Sequence, residues 1–220
     1  MKKIYVVVIV VALVALLVLA ALSVTWAWSQ RGGVMGPGMM YGGSRYGSNA
    51  NLVAIDEAAA AAEEYLEKYG QNLVLVEVME FSRNFYAEIE EKDTGIHAME
   101  LLVDKSTGQV YPEMGPNMMW NTKYGHTRGM MRMMGSYYRG GSTTADMPVT
   151  PQQARELAQQ YLDASSPGLT VGNADTFYGY YTLHTLKSGQ VEGMLSVNGY
   201  SGAVWYHSWH GAFIGMKEYE

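Results

Sequence analysis

"FYAEIEEKDTGIHAMELLVDKSTGQVY", which runs from Phe85 to Tyr111, is the stretch of sequence that decides the fold. It opens with alternating side chains and reaches Lys-Asp-Thr-Gly, a combination typical of a hairpin turn. "IHAMELLVD" predicts a second strand, and Lys-Ser-Thr-Gly predicts a second turn before a short third strand. The stretch therefore predicts three neighbouring antiparallel strands.

The residues before this stretch predict a helix and one more strand. "AIDEAAAAAEEYLEKYG" is rich in alanine and glutamate and has no glycine or proline before its last residue. It predicts a helix from about Asp56 to Tyr69, which Gly70 ends. "NLVLVEVMEF" predicts a strand from Asn72 to Phe81.

The same order of elements starts again in the second half. "TPQQARELAQQYLDASSPG" predicts a helix with Thr150 as its N-cap and Pro151 in its first turn. The correspondences are Tyr65-Leu66 with Tyr161-Leu162, Phe81 with Phe177, Phe85 with Tyr181, and 103–111 with 197–205. We therefore expect an α+β fold of two repeated units, each with one helix packed on a small antiparallel sheet.

A helix followed by this pattern of strands resembles the PepSY domain. The resemblance covers Leu52 to Tyr111 well and Val149 to Tyr206 more loosely, because the hairpin of the second copy is shortened. PepSY domains are small α+β modules of protease propeptides and of many extracytoplasmic bacterial and archaeal proteins. The resemblance implies a binding or regulatory module, often proposed to inhibit or chaperone a protease, and it brings no catalytic motif.

The N-terminus predicts a membrane location. An apolar run over 4–22 is long enough to cross a bilayer, which takes about 20 helical residues. Two lysines precede the run and two tryptophans follow it, which predicts a single helix with its N-terminus in the cytoplasm. A cleaved signal peptide is the alternative. In both cases the chain after Arg31 is expected outside the cytoplasm.

These patterns divide the chain into six parts. They are a transmembrane anchor or signal peptide (1–30), a Gly/Met-rich tether (31–51), a first unit (52–113), a Met/Gly-rich linker (114–148), a second unit (149–210) and a C-terminal tail (211–220). The net charge of −6 gives no electrostatic support for nucleic-acid binding. The chain has no cysteine, which excludes disulfides and thiolate metal sites.

Nothing in the motifs predicts an enzyme. The chain lacks His-Glu-x-x-His, Gly-x-Ser-x-Gly and a phosphate-binding glycine loop. Glu88 and Glu90 are spaced to share one strand face, as a catalytic pair could. The favoured interpretation is a solvated sheet face, which would also carry Glu77, Glu80, Glu91, Asp93, Glu100 and Asp104. We therefore expect a binding or accessory protein.

Clustered methionines are the strongest functional signal. "MGPNMMW" at 114–120 repeats the pattern of "MGPGMMY" at 35–41, and each lies just outside a predicted unit. Thioether sulfur is a soft ligand that prefers Cu(I) and needs no deprotonation. The predicted primary ligands are Met114, Met118 and Met119. The site could extend to Met35, Met39, Met40, Met130, Met131, Met133, Met134 and His126.

Two alternatives stay open at this stage. The methionine loops could instead be an apolar contact surface for a partner protein or the bilayer, as a protein-interaction or protease-regulating subunit would use. His207 and His210 in "WYHSWHG" could bind a metal through two imidazoles if a turn brings them together. Otherwise they are surface residues beside aromatic side chains that complete the core. His97 and His184 lie within predicted strands, where a structural role is expected.

Overall fold

A computed structural model describes residues 52–125 and 145–219. The predicted membrane anchor (1–30), the tether (31–51) and the part of the linker over 126–144 lie outside the described residues. No helix within the described ranges is long and apolar enough to cross a membrane.

The elements of the first half are close to the predicted ones. They are α1 (Ile55–Leu66, continued by a 3₁₀ turn over Glu67–Tyr69), β1 (Leu73–Phe81), β2 (Asn84–Glu91), β3 (His97–Asp104), β4 (Val110–Pro112) and a short helix α2 (Pro116–Met119). The second half repeats a helix and four strands. They are α3 (Pro151–Ser165), β5 (Leu169–Phe177), β6 (Tyr180–Lys187), β7 (Gln190–Asn198) and β8 (Val204–Tyr206), followed by β9 (Phe213–Glu218).

The fold class predicted from the repeat, two units that each have a helix on their own sheet, is wrong. All nine strands of the described residues belong to one mixed sheet, in the order β8-β7-β6-β5-β3-β2-β1-β9, with β4 paired to β3. Strands β3 and β5 are parallel neighbours, where His97 pairs with Phe177. Strand β9, which falls in the segment predicted as a tail, returns to pair with β1.

The two halves form one structure because both faces of the sheet are buried. One face carries the apolar side chains that the helices cover. In the first half, α1 forms a core with strands β2 and β3 through Ala58, Ala62, Leu66, Phe85, Ile89 and Leu101. In the second half, α3 forms a separate core with strands β6 and β7 through Ala154, Ala158, Leu162, Tyr181, Leu183 and Leu195. A third cluster joins Met79, Phe81, Tyr86 and Leu102 of the first half to Met194 of the second. The opposite face is therefore buried between the halves instead of facing water.

Candidate metal centre

Glu113 is placed by the backbone pairing that extends β4. Its N–H group donates to the carbonyl of Glu100 at 2.9 Å, so Glu113 stands beside Glu100 in the sheet. At Gly115 the chain turns with a φ of +88°, and a Cβ there would lie 3.2 Å from the Trp209 ring. A glycine is therefore needed for the close approach of this turn to Trp209.

The two histidines are placed by the end of β8 and the turn after it. The N–H group of His207 donates to the carbonyl of Met194 at 3.0 Å, which continues the pairing of β8 with β7. A turn at Ser208 and Trp209 follows. The carbonyl of His210 then accepts from the N–H group of Arg83 at 3.1 Å. The turn thus brings the side chains of His207 and His210, which are three residues apart, next to each other, as metal binding by both would require.

Glu113, His207 and His210 converge in the interior. His210 Nε2 lies 3.0 Å from Glu113 Oε1, and His207 Nδ1 lies 3.6 Å from the same oxygen. One donor atom from each residue falls within 4.8 Å of the others. All three residues are buried, with at most 3% of their surface exposed. His207 Nδ1 and His210 Nε2 have no hydrogen-bond partner other than Glu113.

The outer nitrogen of each imidazole is occupied, which fixes the orientation of both rings. His210 Nδ1 lies 2.9 Å from Asn84 Oδ1, and His207 Nε2 lies 2.9 Å from Ser196 Oγ. Since an amide oxygen can only accept, His210 carries its hydrogen on Nδ1 and keeps a lone pair on Nε2. Metal-binding histidines are usually held in this way by a second hydrogen bond.

The chain of hydroxyl groups behind His207 assigns its tautomer. Thr182 donates its single hydroxyl hydrogen to Glu100 at 2.7 Å. The contact of 3.0 Å between Thr182 and Ser196 therefore uses the hydrogen of Ser196. Ser196 can then only accept from His207, so Nε2 carries the hydrogen and the Nδ1 lone pair is left free beside Glu113.

Burial keeps the metal-free centre uncharged near pH 7. It raises the pKa of Glu113 to about 8, although hydrogen bonds from Trp209 and Glu100 act in the opposite direction. Burial lowers the pKa of His210 to about 3. Burial, and then the neighbouring His210, lower the pKa of His207 well below its usual value. Both imidazoles are therefore in the neutral form that binds metal ions, and only Glu113 has a proton to lose.

Aromatic rings complete the wall of the centre. Trp209 stacks on the His207 ring with 4.6 Å between centroids, and its indole N–H group donates to Glu113 Oε1 at 2.8 Å. Phe81 stacks on His210 at 4.6 Å, and Tyr86 meets His210 edge-on at 5.9 Å. These ring contacts restrict rotation of both imidazoles.

This donor set suits a borderline divalent ion. Imidazole nitrogen binds Zn²⁺, Cu²⁺, Fe²⁺ and Ni²⁺, and a carboxylate oxygen is a common third ligand. Three protein ligands leave at least one coordination position for water or another group.

The structure describes three of the predicted methionine ligands. Met114 follows Glu113 directly and is 38% exposed, Met118 is half-buried, and Met119 is 57% exposed. Met118 and Met119 are consecutive in α2, so their side chains leave that helix in different directions. The remaining predicted ligands, Met35, Met39, Met40, Met130, Met131, Met133, Met134 and His126, lie outside the described residues.

Two sequence interpretations need correction. The alternative in which His207 and His210 are surface residues is wrong, because both are buried. The solvated acidic face is also wrong for Glu77, Glu88, Glu91 and Glu100, which are at most 8% exposed. The cause is the second half, which covers that face and supplies hydroxyl groups to it. Tyr180, for example, donates to Glu100 at 2.8 Å.

Glu113 is the one residue of the centre that the sequence analysis missed. A signal for it exists in the internal repeat, because "YPEMGPN" aligns with "WYHSWHG" and sets Glu113 opposite His207.

The chain matches no family model, no curated protein and no solved structure. The fold and the centre together describe a single-sheet α and β chain with a buried two-histidine, one-carboxylate cluster.

Proposed function

We propose that this chain is a metal-binding protein that holds one divalent transition-metal ion between Glu113, His207 and His210. One observation carries the proposal. The inward nitrogens of His207 and His210 have no partner other than Glu113, while the outer ring nitrogens are held by Ser196 and Asn84. The single proton of Glu113 can meet only one of the two imidazole lone pairs, and a buried lone pair without a partner is costly, whereas an ion would satisfy all three side chains at once.

Zinc is the best first probe, because two imidazoles and one carboxylate are a common Zn²⁺ ligand set. We expect Zn²⁺ to bind in competition with a chromophoric chelator at pH 7.5. Glu113→Gln should weaken the binding at least about 100-fold, since loss of a ligand costs more than loss of an outer-shell partner. Because Glu113 is largely protonated in the metal-free protein, glutamine should preserve the fold.

Glu192→Gln is the matched control. Glu192 lies in β7 and is exposed, so its substitution removes one carboxylate without touching the centre. It should leave the Zn²⁺ affinity unchanged. Wild-type protein that binds no Zn²⁺, or a Glu113→Gln variant that binds it as tightly as wild type, would refute the proposed function.

Cu(I) binding by the methionine loops is a second, separable part of the proposal. Met114 comes directly after Glu113 in the chain, and Met118 and Met119 lie in α2, so the three thioethers belong to one short segment. An anaerobic Cu(I) titration of wild type and of a Met114/Met118/Met119→Leu variant tests it. Leucine keeps the apolar volume and removes the sulfur. Equal Cu(I) affinity of the two proteins would reject the methionine site.

A contact surface for a partner protein is the alternative function of the same loop. The exposure of Met114 and Met119 favours it, because adaptable apolar side chains at a surface are typical of protein contacts. Association that survives the leucine substitutions, together with lost Cu(I) binding, would separate the two functions.

We further propose that the folded part acts outside the cytoplasm as a membrane-tethered binding or accessory protein rather than as an enzyme. The apolar run over 4–22 and the lysines before it support this orientation. A C-terminal reporter that matures only in the cytoplasm should stay dark. A strong signal would contradict the orientation.

A further inference from the structure

Glu100 is a buried carboxylate that three hydroxyl groups surround. Thr182 donates to its Oε1 at 2.7 Å, Tyr180 donates to its Oε2 at 2.8 Å, and the Tyr86 hydroxyl lies 3.1 Å from Oε1. Its main chain is held as well, because the Asn117 side chain bonds to its N–H group at 3.2 Å and to its carbonyl at 3.0 Å. Glu100 is therefore a fixed acceptor in the interior, outside the three proposed ligands.

Two hydroxyl groups lead from Glu100 to the metal centre. Thr182 on β6 is directly opposite Ser196 on β7, and both are at most 1% exposed. Since Glu100 takes the hydroxyl hydrogen of Thr182, Ser196 donates to Thr182 over 3.0 Å, and His207 Nε2 donates to Ser196 over 2.9 Å. Every hydrogen bond of this chain thus points towards Glu100.

The direction of these bonds is not fixed by His207 itself. A neutral imidazole carries its hydrogen on either nitrogen, and a serine hydroxyl can donate or accept. Within 52–125 and 145–219, the Ser196 hydroxyl bonds only to Thr182 and His207. Without the Thr182 hydroxyl, Ser196 would therefore donate to His207 Nε2. The imidazole hydrogen would move to Nδ1, which faces Glu113, and Nδ1 would lose its lone pair.

We propose that Thr182 is a positioning residue of the metal centre. Held by Glu100 and acting through Ser196, it keeps Nδ1 of His207 free for the ion without being a ligand itself. The inference rests on the proposed function and extends it to a hydroxyl group two side chains away from the imidazole. Outer partners of metal-binding histidines set the tautomer of the ring, and here that control passes through two hydroxyl groups.

The Zn²⁺ affinity of Thr182→Val tests this role. Valine keeps the branched shape and removes the hydroxyl, and we expect the affinity of the full chain in detergent to fall about 10–100-fold in a chelator competition. Thr182→Ser keeps a hydroxyl and should recover most of the affinity. Thr185→Val is the matched control, because Thr185 is a buried threonine of the same strand whose hydroxyl makes no hydrogen bond. It should bind Zn²⁺ as wild type does.

The tautomer of His207 is a readout that a merely structural role of Thr182 would not change. The ¹⁵N chemical shift distinguishes a ring nitrogen that carries hydrogen from one that does not, and the chain has only five histidines to assign. In the metal-free protein at pH 7.5, His207 should carry its hydrogen on Nε2 in wild type and on Nδ1 in Thr182→Val. The wild-type spectrum tests the inference even where a variant fails to fold.

The outcomes separate this inference from the proposed function. A wild-type His207 with its hydrogen on Nδ1 would overturn the inference, and so would a Thr182→Val variant with an unchanged tautomer or unchanged Zn²⁺ affinity. An equal loss of affinity in Thr185→Val would also overturn it, since the loss would then not depend on the hydroxyl chain. Each of these results leaves Zn²⁺ binding by wild type intact. Wild-type protein that binds no Zn²⁺ would instead reject the proposed function, and the positioning role with it.

Discussion

Asn84 orients one histidine of the candidate centre. Its Oδ1 accepts from His210 Nδ1 at 2.9 Å, and its side chain is buried. The bond keeps the hydrogen on Nδ1, so the Nε2 lone pair stays available beside Glu113. For the proposed metal binding, the hydrogen bond of His210 to Asn84 is therefore as important as the contact of His210 with Glu113.

Replacing Asn84 should weaken metal binding without removing a ligand. Asn84→Ala removes the acceptor for His210 Nδ1, and we expect a loss of about 10–100-fold in Zn²⁺ affinity in a chelator competition. Asn84→Asp keeps an acceptor oxygen at the same place and should recover most of the affinity. Equal affinity of wild type and Asn84→Ala would show that the ring is oriented by other contacts.

The pH dependence of binding follows from Glu113. Because its pKa is raised to about 8 by burial, one proton must leave for each ion bound below that pH. The two histidines are already neutral and release none. We expect the Zn²⁺ affinity of this centre to fall about tenfold per pH unit from pH 8 to pH 6. A pH-independent affinity, as thioether ligands would give, would contradict ligation by Glu113.

The sequence shows the histidine pair, but it does not show that both histidines are buried beside a carboxylate. A spacing of three residues after a strand required a turn, and the structure contains that turn at Ser208 and Trp209. Burial of the pair was not predictable, because aromatic neighbours fit both a surface and a core position. Glu113 could not be identified from its own neighbours in the sequence. Its proposed role depends on His207, which lies 94 positions later in the chain at the aligned position of the second repeat.

At the scale of elements, Glu91 ties the end of β2 to two loops. It is 1% exposed and accepts from Lys123 Nζ and the Tyr124 hydroxyl, both at 2.5 Å, and from the Tyr178 hydroxyl at 2.7 Å. Lys123 and Tyr124 follow α2, and Tyr178 lies in the turn between β5 and β6. One carboxylate therefore fastens parts of both halves to the sheet.

Glu91→Gln should destabilise the fold in a pH-dependent way. Burial alone would raise the pKa of Glu91, but its hydrogen bonds outweigh burial and lower it from 4.5 to about 2. A depressed pKa contributes stability above about pH 4.5, and that stability is lost as pH falls towards 2. In urea unfolding at pH 7 we expect a loss of roughly 2 kcal/mol. The difference from wild type should shrink towards pH 2, whereas a constant difference would contradict the ionised role of Glu91.

At the scale of the whole molecule, local sequence patterns predict the separate helices and strands but not the single sheet that joins them. The helices and hairpins follow from alternation, capping and turn residues, which act over short distances. The pairing of β3 with β5 and of β9 with β1 joins residues far apart in the chain, and no local pattern specifies it. The polar alternation of β2 and β3 predicts a solvated face, but the second half packs on that face and buries it.

The merger of the two halves also creates the candidate centre. Glu113 comes from the first half, and both histidines come from the second. Ser196 and Thr182 of the second half connect His207 to Glu100 of the first. Neither half alone holds all three residues, so the candidate centre is a property of the complete sheet.

Anomalous X-ray scattering from a crystal of the Zn²⁺-loaded protein tests the central claim most directly. Data collected on both sides of the zinc absorption edge locate the ion without assumptions about ligands. The account predicts a peak within coordination distance, about 2.0–2.2 Å, of a Glu113 carboxylate oxygen, His207 Nδ1 and His210 Nε2. An ordered Glu113, His207 and His210 with no zinc peak between them, in a crystal that carries zinc elsewhere, would contradict it.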